Sequence, residues 1–382
     1  MFTLSKTSPI PLHTQLLNEL RHAILSGKLK PHEQLPGEYA LITQLNISRS
    51  TVQRAWQTAQ DEGLIYRVPA KGTFVSEPAK RPTTTQFVGC IVAEFRYTFD
   101  GSLLDGADEL LRAKGYRLLF AQSERRIEEE NRLIRTMCAE GVAGILLWPV
   151  TDNSNSRRRF VTDPSCSVPV VLLDRPIPGV DLPCITSQNY DGALQAMRHL
   201  LKLGHRDIAF AAWPPLDLHP IAERYRAYRE AMIEAGLSPR PILTLGEPVE
   251  EVNYRRYAQE AHEDVAYLTE VLRQPDRPTA IFAMNDLLAV LVLRAAREAG
   301  LQLPADLSVV GFDNLELTTR TEPTLTTIAQ DTPVIGREAV RRLLALIDGD
   351  PPRQTFTLVP TRLIIRESTS TPPTRFEAGE RR

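Results

Sequence analysis

Short apolar segments alternate with amphipathic segments along most of this 382-residue chain. Continuous apolar residues, as in 88–93, predict strands buried on both faces, and apolar residues that recur every three or four positions predict helices. The chain is too long for one ordinary core, and the alternation spans enough residues for two sheets. We therefore predict a doubly wound parallel α/β body of two lobes over residues 87–369.

The elements expected in the body follow from the same alternation. Strands are predicted over 88–93, 116–120, 144–148, 169–173, 207–212, 279–283 and 307–312. Helices are predicted over 103–114, 128–140, 192–203, 221–235 and 286–299. No short sequence period repeats, which argues against a solenoid.

Polar side chains stand close after several of these predicted strands. Asp174, Asn285 and Asp313 each come after a strand, and Arg224 lies in a helix that follows another. Ligands of doubly wound sheets bind beyond the carboxyl ends of the strands, and carboxylate, amide and guanidinium groups hydrogen bond to sugar hydroxyls. The alternatives are capping roles for the two aspartates, a helix N-cap for Asn285 and a surface ion pair for Arg224.

Other residues of the body are weaker candidates for a site. Aromatic rings after strands of the first lobe can stack on a sugar face, and these are Phe95, Tyr97, Phe99 and Trp148. Phe99 and Gln330 are kept as candidate ligand contacts, although a place in the core is the alternative for each aromatic. We expect His199 and His205 to have structural roles and not to bind a metal. The four cysteines have no CxxC spacing, so we expect no metal, no cofactor and a reducing compartment.

The segment 47–60 near the N-terminus predicts a helix of a different kind. Ser48 is a good N-cap, and an apolar stripe is formed by Val52, Ala55, Trp56 and Ala59. The opposite face carries Arg49, Gln53 and Gln57 with Ser50 beside them, and no carboxylate. Such groups suit phosphates and base edges, whereas an ordinary solvated helix face mixes both signs of charge.

The neighbouring segments complete a small DNA-binding fold. Helices are predicted over 11–27 and 38–45, so the second of these, the turn at 46–47 and the helix at 47–60 form a helix-turn-helix. Residues 64–68 and 73–75 alternate as two strands around the turn 69–72 and predict a β-hairpin wing. The candidate DNA contacts are Arg49, Ser50, Thr51, Gln53, Arg54, Lys71, Gly72 and Thr73.

Short motifs in this head carry a family resemblance. They are Pro11-Leu12, Leu35-Pro36-x-Glu38, Ser48-Arg49-x-Thr51-Val52, Glu62-Gly63-Leu64-Ile65 and Lys71-Gly72-Thr73-Phe74-Val75. With their spacings they resemble the winged helix-turn-helix of the GntR family of bacterial transcription regulators. The resemblance implies that Arg49 and Thr51 contact DNA and that the wing tip around Gly72 enters a minor groove. The sequence departs from the family pattern at Tyr39 and Gln53, where the family usually has arginine, and at Ala70, where the wing often has glycine.

The body has a resemblance of its own. Its motifs are Leu173-Asp174-Arg175-Pro176, Asn189-Tyr190-x-Gly192-Ala193, His199-Leu200-x3-Gly204-His205, Glu223-Arg224-x2-Ala227-Tyr228, Ala283-x-Asn285-Asp286, Pro304-x-Asp306-x-Ser308-Val309-Val310-Gly311-Phe312-Asp313, Leu325-Thr326-Thr327-Ile328 and Arg366-Glu367-Ser368. They resemble the effector-binding part of the LacI/GalR repressors, a fold shared with periplasmic sugar-binding proteins. The resemblance implies effector-binding roles for Asp174, Arg224, Asn285 and Asp313. A GntR-like head on such a body is similar to the arabinose-responsive repressors, and a pentose is the first expectation for the effector.

These features predict the domain organisation and the partners. The winged helix-turn-helix covers 1–76, a Pro-containing linker 77–86, the effector-binding domain 87–369 and a disordered tail 370–382. Residues 1–80 carry nine basic and six acidic side chains, so the head is basic although the whole chain has a net charge of −2. We expect a cytoplasmic homodimer that binds a palindromic operator and a sugar, because the sequence shows neither a signal peptide nor a membrane span.

Two other classes of function remain open at this stage. Asp174 and Asp313 can be read as the acid and nucleophile of a glycosidase, although neither lies in a nucleophile motif. A sugar-transport binding protein is the other alternative, and the DNA-binding head and the missing signal peptide argue against it. The leading interpretation is a ligand-controlled transcriptional regulator, in the first instance a repressor, without enzymatic activity.

Overall fold

The computed structural model describes residues 2, 4, 11–25, 28–61, 63–69, 71–76, 86–94, 97–150, 168–246, 261–350 and 355–374. The chain forms two compact units, Met1–Thr85 with Asp348–Asp350, and Gln86–Ile347 with Pro351–Arg382. We call the first unit the head and the second the body. Most of the predicted linker lies outside the described residues, and Gln86, its last residue, already belongs to a strand.

The head contains the three helices and the hairpin that the sequence predicts. Its elements are α1 (Leu12–Leu25), α2 (Glu38–Leu45), α3 (Arg49–Asp61), β1 (Ile65–Val68) and β2 (Gly72–Val75). The turn from α2 to α3 contains Asn46 in the left-handed conformation, with φ of 50°. The predicted stripe of α3 is buried against α1, because Val52, Ala55 and Ala59 are fully buried and Trp56 is 6% exposed. The amide of Thr51 donates to Ser48 Oγ at 3.2 Å, so the predicted N-cap is confirmed.

The body alternates strands and helices along the chain. The helices are α4 (Tyr97–Ala113), α5 (Ile127–Ala139), α6 (Asn189–Lys202), α7 (His219–Glu234), α8 (His262–Arg273), α9 (Asp286–Glu298) and α10 (Thr332–Ile347). The strands are β3 (Gln86–Val92), β4 (Tyr116–Gln122), β5 (Ile145–Leu147), β6 (Val170–Leu173), β7 (Cys184–Ser187), β8 (Ile208–Ala212), β9 (Leu243–Thr244), β10 (Ala280–Ala283), β11 (Ser308–Asp313), β12 (Thr326–Gln330), β13 (Phe356–Val359) and β14 (Thr361–Ile364).

Two six-stranded sheets form two lobes. The first lobe has the strand order β13-β7-β6-β5-β3-β4 and the second has β14-β12-β11-β10-β8-β9. All pairings are parallel except that of β14 with β12, which is antiparallel. The predicted doubly wound fold is therefore confirmed, with one antiparallel edge strand. Several elements were not predicted, namely β7, β9, α8, β12, α10, β13 and β14.

The chain crosses between the lobes at three places in its described part. The crossings follow Ser187 at the end of β7, Gln330 at the end of β12 and Val359 at the end of β13. After the second crossing, α10 packs on α4 of the first lobe so closely that a Cβ at Gly336 would lie 2.1 Å from the carbonyl oxygen of Leu103. Glycine at this position is therefore what allows α10 to join the first lobe.

The structure corrects the expected start of the C-terminal tail. The imidazole Nε2 of His205 lies 3.0 Å from the carbonyl oxygen of Ser370, and the amide of Ser370 donates to Ser308 Oγ at 3.0 Å. Ser370 thus belongs to the folded body, because the side chains of His205 and Ser308 form hydrogen bonds with its backbone, although composition alone suggested disorder from this residue onward. His205 has a structural role, as expected.

Two further expectations concern cysteines and membranes. Cys90 and Cys184 are buried, and Cys138 is disulfide-bonded, a pairing that the scattered spacing did not predict. Within the described ranges, no helix has the length and apolar character needed to cross a bilayer.

Candidate functional site

Helix α3 presents most of the predicted DNA contacts to solvent. Arg49, Ser50, Gln53 and Arg54 are exposed, while Thr51 is half-buried. The hydroxyl groups of Ser50 and Thr51 each lie 2.8 Å from Ser48 Oγ. Ser48 therefore organises the first turn of α3 as well as capping it, and the two arginines and Gln53 are displayed on the face that lacks carboxylates.

The tip of the wing is held by a side chain from before α2. Gln34 Nε2 donates to the carbonyl oxygen of Lys71 at 2.8 Å, and the Lys71 side chain is exposed. Gly72 has φ of 120°, and a Cβ there would lie 2.8 Å from Gln34 Nε2. Thr73 is half-buried, and its carbonyl oxygen accepts from the amide of Leu35 at 2.9 Å. The wing tip is therefore a fixed shape that requires glycine at its turn.

Helix α2 contacts the wing at its N-terminus. Glu38 Oε1 lies 3.8 Å from Arg67 Nη1 of β1, and the neighbouring Tyr39 side chain is 79% exposed. The positive charge of Arg67 on the wing strand is thus partly neutralised by Glu38. Tyr39 leaves a large aromatic ring in solvent at the position where the similar family usually has arginine.

In the body, Arg224 is the centre of the candidate ligand site. It lies on α7 after β8 and is only 5% exposed, so the surface-ion-pair alternative is wrong. Its Nε donates to Asn189 Oδ1 at 2.9 Å, and its Nη1 donates to the carbonyl oxygen of Met284 at 2.6 Å. The guanidinium lies over the Phe312 ring, 3.6 Å from the ring centre. These contacts fix the plane of the guanidinium.

Asp313 ends β11 beside this guanidinium. Its Oδ1 lies 3.9 Å from Arg224 Nη1 and accepts from Gln330 Nε2 at 2.6 Å. Burial raises the pKa of Asp313 to about 6, against the opposing effects of Arg224 and the Gln330 hydrogen bond. Beneath it, Asp286 is fully buried and accepts from Thr327 Oγ1 at 2.5 Å and from the Leu315 amide at 2.8 Å. Burial and the neighbouring Asp313 hold the pKa of Asp286 above its ordinary value.

Asp174 is the candidate carboxylate on the first-lobe side of the site. It follows β6 with φ of 67°, and its carboxylate lies 3.4 Å from Arg175 Nε. Burial lowers the pKa of Arg224, and the charges of Asp313 and then Asp174 oppose that shift, so the carboxylate of the first lobe is within electrostatic range of the second-lobe guanidinium. The candidate site is therefore assembled from both lobes at the carboxyl ends of their strands, as the rule for doubly wound sheets predicts.

Asn285 has the helix-capping role that the sequence analysis gave as its alternative. Its Oδ1 accepts from the Leu288 amide at 2.9 Å, so it is the N-cap of α9, and its side chain is half-buried near the cluster's strand ends. Gln330 Oε1 is buried without a hydrogen-bond partner in the structure. A ligand hydroxyl can donate to that oxygen, which is the chemistry expected of a binding residue.

The aromatic candidates have a mixed outcome. Phe99 lies within α4, which begins at Tyr97 and not at Leu103, so it does not sit in a loop after a strand; its side chain is not among those described. Phe95 lies outside the described residues. Trp148 is half-buried and lies 5.8 Å from the Arg175 guanidinium.

Three residues near the cluster were missed by the sequence analysis. Asn189 and Phe312 hold Arg224 in place, and His219 begins α7 with its ring 5.2 Å from the Phe356 ring of the first lobe. His219 Nδ1 is buried without a hydrogen-bond partner, and burial lowers the pKa of His219 while Glu223 and Asp174 oppose that shift. No periodic pattern marks such residues, although Asn189 and Phe312 lie within the motifs that carry the resemblance.

The part of the chain that the structure describes contains no cluster of three or more potential metal ligands. The candidate site instead combines one fixed guanidinium, carboxylates from two lobes and an amide. Such a set donates to and accepts from several hydroxyl groups at once. Its chemistry suits a small polyhydroxylated ligand held between the lobes.

Comparison with known proteins divides the chain in the same way. Residues 12–75 match the family model for bacterial regulatory proteins of the gntR family. Residues 197–369 match the periplasmic binding protein-like domain. The two matches fall in the head and in the body.

Full-length similarity joins the two parts. The arabinose metabolism transcriptional repressor of Geobacillus stearothermophilus is 30% identical over 372 residues, covering 95% of this chain and 99% of that protein. Among solved structures, a complex of the transcriptional regulator CelR with cellobiose is 26% identical, with a TM-score of 0.63, and covers 92% of this chain and 99% of the other. A dimeric lac repressor is 25% identical, with a TM-score of 0.63, over 75% of this chain and the whole of the other.

Proposed function

Since the chain belongs to the gntR family of transcriptional regulators, in the branch that joins a gntR-type head to a periplasmic binding protein-like body, we propose that a sugar bound between the lobes controls its binding to operator DNA. The chain is a DNA-binding transcriptional regulator and not an enzyme. The observation that carries the proposal is the buried pair of Arg224 and Asp313, 3.9 Å apart at the carboxyl ends of the second-lobe strands, with Asp174 of the first lobe within electrostatic range of Arg224.

The head supplies the DNA-binding surface of this proposal. Helix α3 enters the major groove with Arg49, Ser50, Gln53 and Arg54, and Thr51 supports the first turn. The exposed groups are positioned by Ser48 and by the buried apolar stripe on the opposite face. Lys71, Gly72 and Thr73 of the wing contact the adjacent minor groove, where the shape held by Gln34 presents the backbone to the phosphates.

The effector in this proposal is a neutral sugar, with arabinose as the first candidate. Hydroxyl groups of the sugar donate to Asp174, Asp313 and the Gln330 oxygen, and Arg224 donates to others. Asn285 presents its amide nitrogen, because its oxygen is occupied by the helix cap. The candidate sugar comes from the name of the Geobacillus relative, and the CelR complex with cellobiose supports a sugar as the ligand class.

The regulator acts as a homodimer in this proposal. Two winged heads recognise the two halves of a palindromic site, which requires two-fold symmetry. The similarity to a dimeric lac repressor supports this assembly. Closure of the lobes around the sugar changes the spacing of the two heads, so each head alone binds DNA weakly and their spacing controls the pair.

A thermal unfolding screen tests the ligand half of the proposal. D- and L-arabinose, D-xylose and D-ribose are compared with sucrose at equal concentration, since sucrose controls for the general effect of sugars on stability. A sugar present at one hundred times its dissociation constant adds about 2.7 kcal/mol to the native state. If none of the pentoses raises the unfolding temperature beyond the sucrose control, a pentose effector is refuted.

Fluorescence anisotropy on an operator obtained by selection from randomised DNA tests the regulatory half. We expect the sugar to lower operator affinity by roughly 5–150-fold, the range typical of coupled sites. The salt concentration must be fixed, because salt alone shifts such affinities strongly. Unchanged or tighter operator binding at saturating sugar would contradict derepression and indicate co-repression or activation.

A further inference from the structure

The candidate ligand site lies directly beside two of the crossings between the lobes. Asn189 is the first residue of α6 and follows the crossing that ends β7 in the first lobe. Gln330 is the last residue of β12 and precedes the crossing that leads to α10. Both side chains form hydrogen bonds with charged residues of the candidate site: Asn189 accepts from Arg224, and Gln330 donates to Asp313.

The orientation of the Asn189 amide follows from its arginine partner. Arginine can only donate hydrogen bonds, so the atom 2.9 Å from Arg224 Nε must be the amide oxygen. The amide nitrogen of Asn189 therefore faces the other way. There it donates to the carbonyl oxygen of Ser187 at 3.0 Å and to Thr186 Oγ1 at 3.3 Å. Both acceptors belong to β7 of the first lobe.

These contacts form one continuous path between two crossings. The path runs from Thr186 and Ser187 through Asn189 to Arg224, over the 3.9 Å ion pair to Asp313, and on to Gln330. Asn189 is 2% exposed and Thr186 is fully buried, so water does not compete for the bonds at this end. A ligand that displaces Arg224 therefore strains its bond to Asn189 and, through that side chain, the contacts with Ser187 and Thr186 at the first crossing.

We propose that Asn189 is a positioning residue that transmits ligand binding at Arg224 to the crossing between β7 and α6, and thereby sets the angle between the lobes. This inference rests on the proposed function, in which a sugar binds at Arg224. Asn189 itself does not contact the sugar. It therefore affects the coupling between sugar and operator more than it affects sugar affinity.

The substitution Asn189→Asp distinguishes the contact made by the amide oxygen from the contacts made by the amide nitrogen. Aspartate keeps an oxygen for Arg224 Nε but cannot donate to the Ser187 carbonyl oxygen, so that contact with the first lobe becomes a repulsion between two acceptors. The Thr186 hydroxyl can still donate to the carboxylate, so Thr186→Val tests this second contact separately. Asn189→Ala removes both contacts. Thr186→Val removes one acceptor of the amide nitrogen with little change of shape, and valine is well suited to a buried strand.

The matched control is Asn314→Asp. Asn314 Oδ1 accepts from Arg366 Nη2 at 2.7 Å, so the control makes the same asparagine-to-aspartate change beside an arginine of the same lobe. It does not touch any crossing. Calorimetry with L-arabinose, or with the pentose that stabilises the wild type in the screen, gives the sugar affinity. Anisotropy with and without that sugar gives the coupling factor.

We expect Asn189→Asp to bind the sugar within about threefold of wild type while its coupling factor falls below the roughly 5–150-fold range of coupled sites, and Asn189→Asp combined with Thr186→Val lowers it to near one. Asn189→Ala loses sugar affinity as well as coupling, Thr186→Val loses part of the coupling, and Asn314→Asp keeps both. A merely structural role for Asn189 would lower stability and sugar affinity without changing the ratio of operator affinities.

The outcomes separate this inference from the proposed function. If the wild type shows coupling and both Asn189→Asp and Thr186→Val retain it in full, the proposed positioning role of Asn189 is refuted and the proposed function stands. If Asn189→Asp does not fold, the Thr186→Val variant provides the test, since unchanged coupling in that variant refutes the proposed role of Asn189. If no pentose affects wild-type stability or operator binding, a pentose effector is refuted, and the inference about Asn189, which rests on that effector, fails with it.

Discussion

Replacing Arg224 tests the candidate ligand site most directly. Arg224→Lys keeps the positive charge near Asp313 but loses the planar fork, the bond to Asn189 and the stacking on Phe312. Each hydrogen bond from a charged group contributes about 1.5–3 kcal/mol, and 1.4 kcal/mol corresponds to tenfold in affinity. We therefore expect the sugar affinity to fall by roughly 10–150-fold.

The truncation Arg224→Ala has a second consequence, for stability. It leaves Asp313, whose side chain is 16% exposed, without its cation, and breaking a buried ion pair costs up to about 3–5 kcal/mol. The unfolding temperature of the body falls accordingly. Operator affinity without sugar stays within about twofold of wild type, because the DNA-binding surface belongs to a separate compact unit.

Calorimetry, thermal unfolding and operator anisotropy are measured for both variants and for Arg226→Lys. Arg226 lies on the same helix but is exposed and pairs with Glu223 at 2.7 Å, so its replacement controls for a lysine on α7. The control should match wild type in all three assays. Unchanged sugar affinity in Arg224→Lys would refute the assignment of the site.

Three other predictions follow from the head and from Asp313. Gln53→Arg should change the preferred base at one position of each half-site by about 1–3 kcal/mol, since glutamine bonds adenine and arginine prefers guanine; DNA selection that returns the wild-type motif would contradict it. Gly72→Ala should cost about 1–3 kcal/mol through backbone strain at φ of 120° and weaken operator binding, as read by unfolding and anisotropy. Sugar affinity should fall below pH about 6, where Asp313 gains a proton and accepts fewer hydroxyl donors, and Asp313→Asn should remove this dependence in calorimetry. Because the folded pKa of Asp313 is raised, its ionisation opposes folding above pH about 6, and this destabilisation disappears as the pH falls.

Local patterns predicted the head and the elements around the site. The stripe of Val52 and Ala55 fixes which side of α3 is buried, and Ser48 marks where the helix begins. Continuous apolar residues predicted the strands, and the position of Asp174 and Asp313 directly after such strands made them candidates for the site. These signals lie within a few residues along the chain, so periodicity and capping rules reveal them.

The environment of Arg224 depends instead on residues that are far apart in sequence. Its partners Asn189 and Met284 lie 35 and 60 positions away. A sequence pattern shows an arginine on an amphipathic helix, and such a residue is commonly exposed. Only the folded arrangement shows that the guanidinium is buried, and therefore that a surface ion pair was the wrong alternative.

The same long-range contacts suggest how a ligand-binding domain can regulate DNA binding. A ligand shifts a conformational equilibrium only by its difference in affinity for the two states. A site confined to one lobe would bind equally well whatever the angle between the lobes. Here Asp174 comes from the first lobe, Arg224 and Asp313 come from the second, and Asn189 and Gln330 join that cluster to two crossings. A sugar that contacts both lobes, as we propose, therefore has an affinity that depends on the angle between them, and by thermodynamic reciprocity that sugar changes the angle.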